Sequence, residues 1–149
     1  MYQDKRVRQS ELLQLLLLDN LYSQSGSERI VFQGGTALRW VYGGVRFSED
    51  LDFVTDLTRK GIEAVLAKTY PRVVKSCLAQ FGRCSTEHHV KEARKSAYKT
   101  MFVCRPETRR ERIAVRLEFE MLRRDQEPKY ERFILRDLPQ VAGLISGGE

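Results

Sequence analysis

Within residues 5–22 leucines crowd at Leu12, Leu13 and Leu15 to Leu18, with Leu21 beyond them, so the segment is apolar almost all round. This pattern predicts a first helix buried on more than one side. Residues 23–28 are polar, contain Gly26 and predict a loop. Ile30-Val31-Phe32 is a short apolar run of strand character, which turns at Gly34-Gly35 into a stretch of helical character over 36–42. Asp50-Leu51-Asp52-Phe53 then alternates acidic and apolar residues. Side chains alternate across a strand, so Asp50 and Asp52 project to one face and Leu51 and Phe53 to the other.

Residues 55–58 predict a helix cap, and 61–81 a helix with Ile62, Val65, Leu66, Val73, Val74 and Leu78 as apolar positions. Pro71 is expected to interrupt or kink it, because proline lacks the amide hydrogen and clashes with the preceding turn. Gly82 ends it. Strands are predicted over 85–91 and 97–104, joined as a hairpin by a charged turn over 92–95. After a charged loop over 106–112, residues 113–121 alternate strongly. Ile113, Val115, Leu117 and Phe119 fall on one face, and Ala114, Arg116, Glu118 and Glu120 on the other. A short strand over 133–138 and a frayed tail over 141–149 complete the reading.

The length of 149 residues fits one domain with its own core. The chain is 42% hydrophobic and 31% charged, as soluble globular proteins are. Its 26 Lys and Arg against 20 Asp and Glu leave a formal charge of +6, which points to a polyanionic partner, nucleic acid first. Cys77, Cys84 and Cys104 are odd in number and form no CxxC pair, so they support neither a disulfide framework nor a zinc site. A reducing cytoplasm is the simplest compartment for them. The leucine run is too short and too flanked by charge to span a membrane, and residues 1–11 lack the layout of a signal peptide. His88 and His89 are adjacent, so a strand would aim them to opposite sides, as ordinary strand residues and not a chelating pair.

Two carboxylates side by side on a solvent-facing strand repel each other unless something cationic sits between them, and a divalent metal is the usual occupant. A glycine turn at a helix start exposes N–H groups suited to a phosphate. Phosphate cradle and metal-binding carboxylates together suggest nucleotide chemistry. The Gly34-Gly35-Thr36-Ala37-Leu38 segment, followed by Arg46-Phe47-Ser48-Glu49-Asp50-Leu51-Asp52-Phe53, resembles the AbiEii-type nucleotidyltransferase toxins of the DNA polymerase β-like superfamily. The resemblance is sharp over 32–53 and diffuse elsewhere.

That resemblance implies an α+β fold, with a mixed β-sheet carrying the site on one face and helices packed on the other. Residues 30–32, 51–53 and 113–119 are then neighbouring strands. The chain is expected to be a single nucleotidyltransferase domain over 1–149, with its motif core at 30–120. The superfamily adds a third carboxylate from a neighbouring strand, in a basic–apolar–acidic sequence that Arg116-Leu117-Glu118 matches. Glu118 is the choice and Glu120 the fallback. Asp50, Asp52 and Glu118 are thus the expected catalytic and metal-binding residues, for Mg2+ or Mn2+. Gly34, Gly35, Thr36, Arg46 and Ser48 are the expected nucleotide contacts, with Lys99 a further candidate for the triphosphate.

The implied activity is transfer of a nucleoside monophosphate from a nucleoside triphosphate to an acceptor hydroxyl. RNA is the leading acceptor, at a tRNA 3′ end, with the chain as the toxin of a toxin–antitoxin pair and a cognate antitoxin as partner. The alternatives are a protein or small-molecule acceptor such as an aminoglycoside, and a non-catalytic domain that binds nucleotide or a partner. Family members continue into a helical second half, of which Arg136-Asp137-Leu138 is a faint echo. The chain is therefore expected to be a minimal version, a fragment, or a protein whose site a partner completes.

Overall fold

The computed structural model describes residues 2–33, 50–108 and 111–122. The leucine-rich segment forms helix α1, Tyr2–Leu21, three residues longer at its start than the apolar pattern indicates. Leu13, Leu15, Leu17, Leu18 and Leu21 are all buried, as are the polar Glu11 and Gln14, so this helix is enclosed on several sides. A single 3-10 turn, Ser27–Arg29, leads into strand β1, Ile30–Gln33. Strand β2 is Asp50–Thr55.

Helix α2, Arg59–Phe81, is capped at both ends where the sequence places punctuation. The Thr58 hydroxyl accepts a hydrogen bond from the Gly61 amide at 3.2 Å. Gly82 takes a φ of 75°, a left-handed value that costs glycine little, and its amide closes on the Leu78 carbonyl at 3.1 Å. The expected break at Pro71 does not occur, and α2 runs through it. Pro71 lies on the exposed side of the helix, as does Ala67, whose carbonyl loses its partner there. Water can satisfy that carbonyl. Ile62, Val65, Leu66 and Thr69 before the proline, and Val73 and Cys77 after it, are buried and hold both halves on the same surface.

Strands β3, Cys84–Ala93, β4, Ala97–Pro106, and β5, Ile113–Met121, complete one mixed sheet in the order β1-β2-β5-β4-β3. The pairings are antiparallel except for β2 with β5, which is parallel. Residues 30–32, 51–53 and 113–119 are therefore neighbours, as expected. The hairpin differs from the predicted one. Strand β3 continues through Glu92, which the sequence places in the turn, because a bulge between Val90 and Glu92 resets the register.

One sheet face packs against α1 and α2 through Leu51, Phe53, Tyr98, Phe102, Ile113, Val115, Leu117 and Phe119. Tyr70 of α2 reaches across to Thr100, hydroxyl to hydroxyl at 2.6 Å. A burial of this kind satisfies both polar groups inside the apolar layer. At the end of the β1–β2 ladder Arg29 donates two hydrogen bonds to Asp56, each 2.8 Å, and the Thr55 hydroxyl donates to the Arg29 carbonyl at 2.7 Å. The three cysteines are free thiols. His88 lies tilted against the Tyr70 ring, centroids 4.4 Å apart, on the helix side, while its neighbour His89 stands opposite Met101. Among the described residues no helix is long and apolar enough to cross a membrane.

Candidate active site

The alternation that buries Leu51, Phe53, Leu117 and Phe119 must send the residues between them to the opposite face. Register decides which of those meet. Asp50 stands opposite Arg116, Asp52 opposite Glu118 and Val54 opposite Glu120. Gln33 pairs with Asp52 from β1, and Lys99 pairs with Glu118 from β4. Glu92 pairs with Lys99 from β3. One polar residue from each strand thus forms a row straight across the sheet: Gln33, Asp52, Glu118, Lys99, Glu92. Beside it lies a cleft of about 400 Å³ lined in part by Gln33, Asp52, Ser96, Lys99, Glu118 and Glu120.

Two cations stand among the acids. The Arg116 guanidinium is 4.0 Å from Asp50 Oδ2 and 3.9 Å from Glu118 Oε1. The Lys99 ammonium is 3.9 Å from Glu118 Oε1 and 3.3 Å from Glu92 Oε2. Of these cations Lys99 relieves Asp52 only in part. Burial, first, then a hydrogen bond to Glu118 and the charges of Glu118 and Asp50 push its carboxyl up to about 6 against a weaker opposing pull from Lys99.

Asp50, Asp52 and Glu118, the expected trio, therefore share one face, with Glu118 next to Asp52. Glu120, the fallback, is one step further along and stands opposite Val54. Gly34, Gly35, Thr36, Arg46 and Ser48 lie outside the described residues, as do the predicted strand over 133–138 and Arg136-Asp137-Leu138. Gln33 and Glu92 join the row unforeseen. Gln33 follows an apolar run with no acid to mark it, and Glu92 reads locally as a turn residue. Arg116 enters the sequence reading only as part of a motif, whereas the structure sets it between two of the acids.

Among the described residues no group of three or more His, Cys, Asp or Glu side chains is gathered closely enough to hold a metal ion unaided. The donor chemistry nevertheless suits a hard dication. Asp50, Asp52 and Glu118 offer oxygen only, and the raised Asp52 pKa marks a cluster where added positive charge is favourable.

The same shift has a stability consequence. Because the folded-state pKa of Asp52 is raised from 3.8 to about 6, the folded protein binds this proton more tightly than the unfolded chain between those values. Stability is then lost as pH rises through that window. Asp52→Asn removes the penalty, so it should stabilise the metal-free protein at pH 7.5 by about 1 kcal/mol, once solvent screening of this half-buried group is allowed for. At pH 4 the gain should nearly vanish. Melting temperatures of both proteins across pH 4–8, in chelator, give the comparison, and a pH-independent difference would contradict the Asp52 assignment.

A family model described as "Nucleotidyl transferase AbiEii toxin, Type IV TA system" matches residues 16–142. The chain belongs to the AbiEii family. Two solved structures resemble this AbiEii-family chain. JHP933 from Helicobacter pylori is 25% identical, with a TM-score of 0.56 over 83% of this chain and 46% of its own. A second structure, of an H. pylori protein described as a nucleotidyltransferase, is 24% identical, with a TM-score of 0.53 over 78% of this chain and 45% of its own. The AbiEii-family chain thus spans less than half the length of either. Its fold is that of the polymerase β-like nucleotidyltransferases. No curated protein matches the chain.

Proposed function

We propose that this chain transfers a nucleoside monophosphate from a nucleoside triphosphate to a hydroxyl of RNA, with a tRNA 3′ end as the leading acceptor. On this reading it acts in the cytoplasm as the toxin of a toxin–antitoxin pair. The observation that carries the proposal is the juxtaposition of Asp50, Asp52 and Glu118 on the sheet face opposite the helices, in a chain of the AbiEii family. Asp50, Asp52 and Glu118 would hold magnesium or manganese. Bound there, the ion would supply neutralisation of the charge that builds on the phosphoryl oxygens and the leaving group.

The remaining work falls to the protein. Gly34 and Gly35 would let backbone amides approach the triphosphate, with Thr36, Arg46 and Ser48 adding side-chain donors. Among the described residues the helices pack on the opposite face of the sheet, so acceptor and nucleotide would approach from the side of the polar row. The excess of Lys and Arg over Asp and Glu favours a polyanionic acceptor over a cationic small molecule such as an aminoglycoside.

The test is incubation with Mg2+, each α-labelled nucleoside triphosphate in turn, and total RNA. Label should enter small RNA with one nucleotide preferred. Label that enters protein or an aminoglycoside while RNA stays blank would replace the acceptor. A folded protein that transfers no label to any of these would overturn the enzymatic reading.

A further inference from the structure

The bulge in β3 determines what faces Lys99. Up to Val90 the β3–β4 ladder is regular, with His89 opposite Met101 and Val90 opposite Thr100. Continued without interruption, that register would put Lys91 opposite Lys99, ammonium against ammonium. The register shift skips Lys91 and puts Glu92 opposite Lys99 in its place. Bulges commonly re-aim one side chain in this way. Here the residue brought round is a carboxylate that Lys99 approaches more closely than Glu118, at 3.3 Å against 3.9 Å. Glu92 is also held by Arg94, which forms an ion pair with it from the hairpin turn.

Lys99 therefore stands between two acids with different prospects. A cation entering the carboxylate cluster must compete with the ammonium for Glu118. Whatever draws Lys99 off Glu118 favours that entry. We propose that Glu92 is a positioning residue for the carboxylate site: placed by the β3 bulge, it holds the Lys99 ammonium away from Glu118 and so keeps Glu118 available to a divalent cation. This inference rests on the reading of Asp50, Asp52 and Glu118 as cation ligands. Glu92 itself touches neither cation nor substrate in this scheme.

The experiment measures Mn2+ binding to the full chain by electron paramagnetic resonance, without nucleotide and without turnover. Circular dichroism and melting temperature confirm that each variant is folded. Glu92→Gln should weaken Mn2+ binding about tenfold, the lower end of what the loss of an outer partner costs a metal site. Lys99→Met should leave Mn2+ binding equal to or tighter than wild type. The double variant separates the proposed role from simple loss of a nearby negative charge. If Glu92 acts through Lys99, adding Glu92→Gln to Lys99→Met should change Mn2+ affinity by less than about twofold. A through-space charge effect would instead persist undiminished in the Lys99→Met background and would overturn the inference. So would a Glu92→Gln variant that binds Mn2+ as wild type does. Wild type that binds no Mn2+ in an Asp52-dependent manner would overturn both this inference and the cation reading beneath it, whereas binding lost on Asp52→Asn but indifferent to Glu92 would overturn this inference alone.

Discussion

Asp50→Ala should lower nucleotide transfer by about a thousandfold or more, since metal-assisted charge neutralisation is worth several kcal/mol and each 1.4 kcal/mol is tenfold in rate. The fold should survive. The Asp50 side chain is 36% exposed and points away from the helices, while its neighbour Leu51 carries the packing at that level and is fully buried. What the substitution removes is a carboxylate beside Arg116, leaving that guanidinium nearer to Glu118 in its preferences. Asp50→Asn, which keeps the shape and loses the charge, should be almost as inactive. Label transfer run beside circular dichroism checks this. Folded Asp50→Ala that transfers label as well as wild type would dismiss the active-site assignment outright.

The largest stability effect should come from Phe53→Ala, at about 3–5 kcal/mol. Phe53 is 1% exposed and stacks on Phe119 with ring centroids 4.9 Å apart, while Phe32 lies tilted against it at 5.6 Å. Register puts these three rings in a line across β1, β2 and β5, one residue beyond the line that carries Gln33, Asp52 and Glu118. Truncation would open a cavity at the join between the antiparallel and the parallel pairing. Against the 5–15 kcal/mol typical of a domain, the loss would bring the protein close to unfolding. Phe53→Leu keeps most of the volume and should cost about 1.5 kcal/mol. Urea unfolding of the three proteins measures both values. A Phe53→Ala cost below about 1 kcal/mol would mean that the aromatic row is not the keystone of this sheet.

Both predictions depend on strands that the amino-acid pattern makes plain. In β5, and in β2 over Asp50 to Phe53, every second residue is apolar, and a one-residue slip would bury the acids, so face and approximate register follow together. The choice of Glu118 over Glu120 was not available from alternation, since both occupy the same face. In the sequence that choice rests on the family resemblance; the parallel pairing sets Asp52 against Glu118, 66 positions away, and Val54 against Glu120. Pro71 misled because a propensity rule for isolated helices meets a helix whose two halves are held by packing on its far side. The Glu92 displacement was hidden for another reason. Lys91, Glu92, Arg94 and Lys95 crowd charge after Val90 and look like the approach to a turn, and nothing local reveals that Lys91 is skipped. The glycine segment and Arg46 are the most legible part of the motif, and their place in the site lies beyond the described residues.

The sheet order has a bearing on when this protein can become active during its synthesis. Strand β5 is made after β1 to β4, yet it sits at the centre, between β2 and β4. Asp50 and Asp52 leave the ribosome 68 and 66 residues before Glu118 does. Until residues 113–121 are free to insert, β2 lacks its parallel neighbour, and β3–β4 can exist only as a separate hairpin. Pairings this distant in the chain are slow to form, because their closure entropy must be met before their contacts contribute. A nascent chain of this family would therefore hold Asp50 and Asp52 without Glu118 beside them until translation had passed β5.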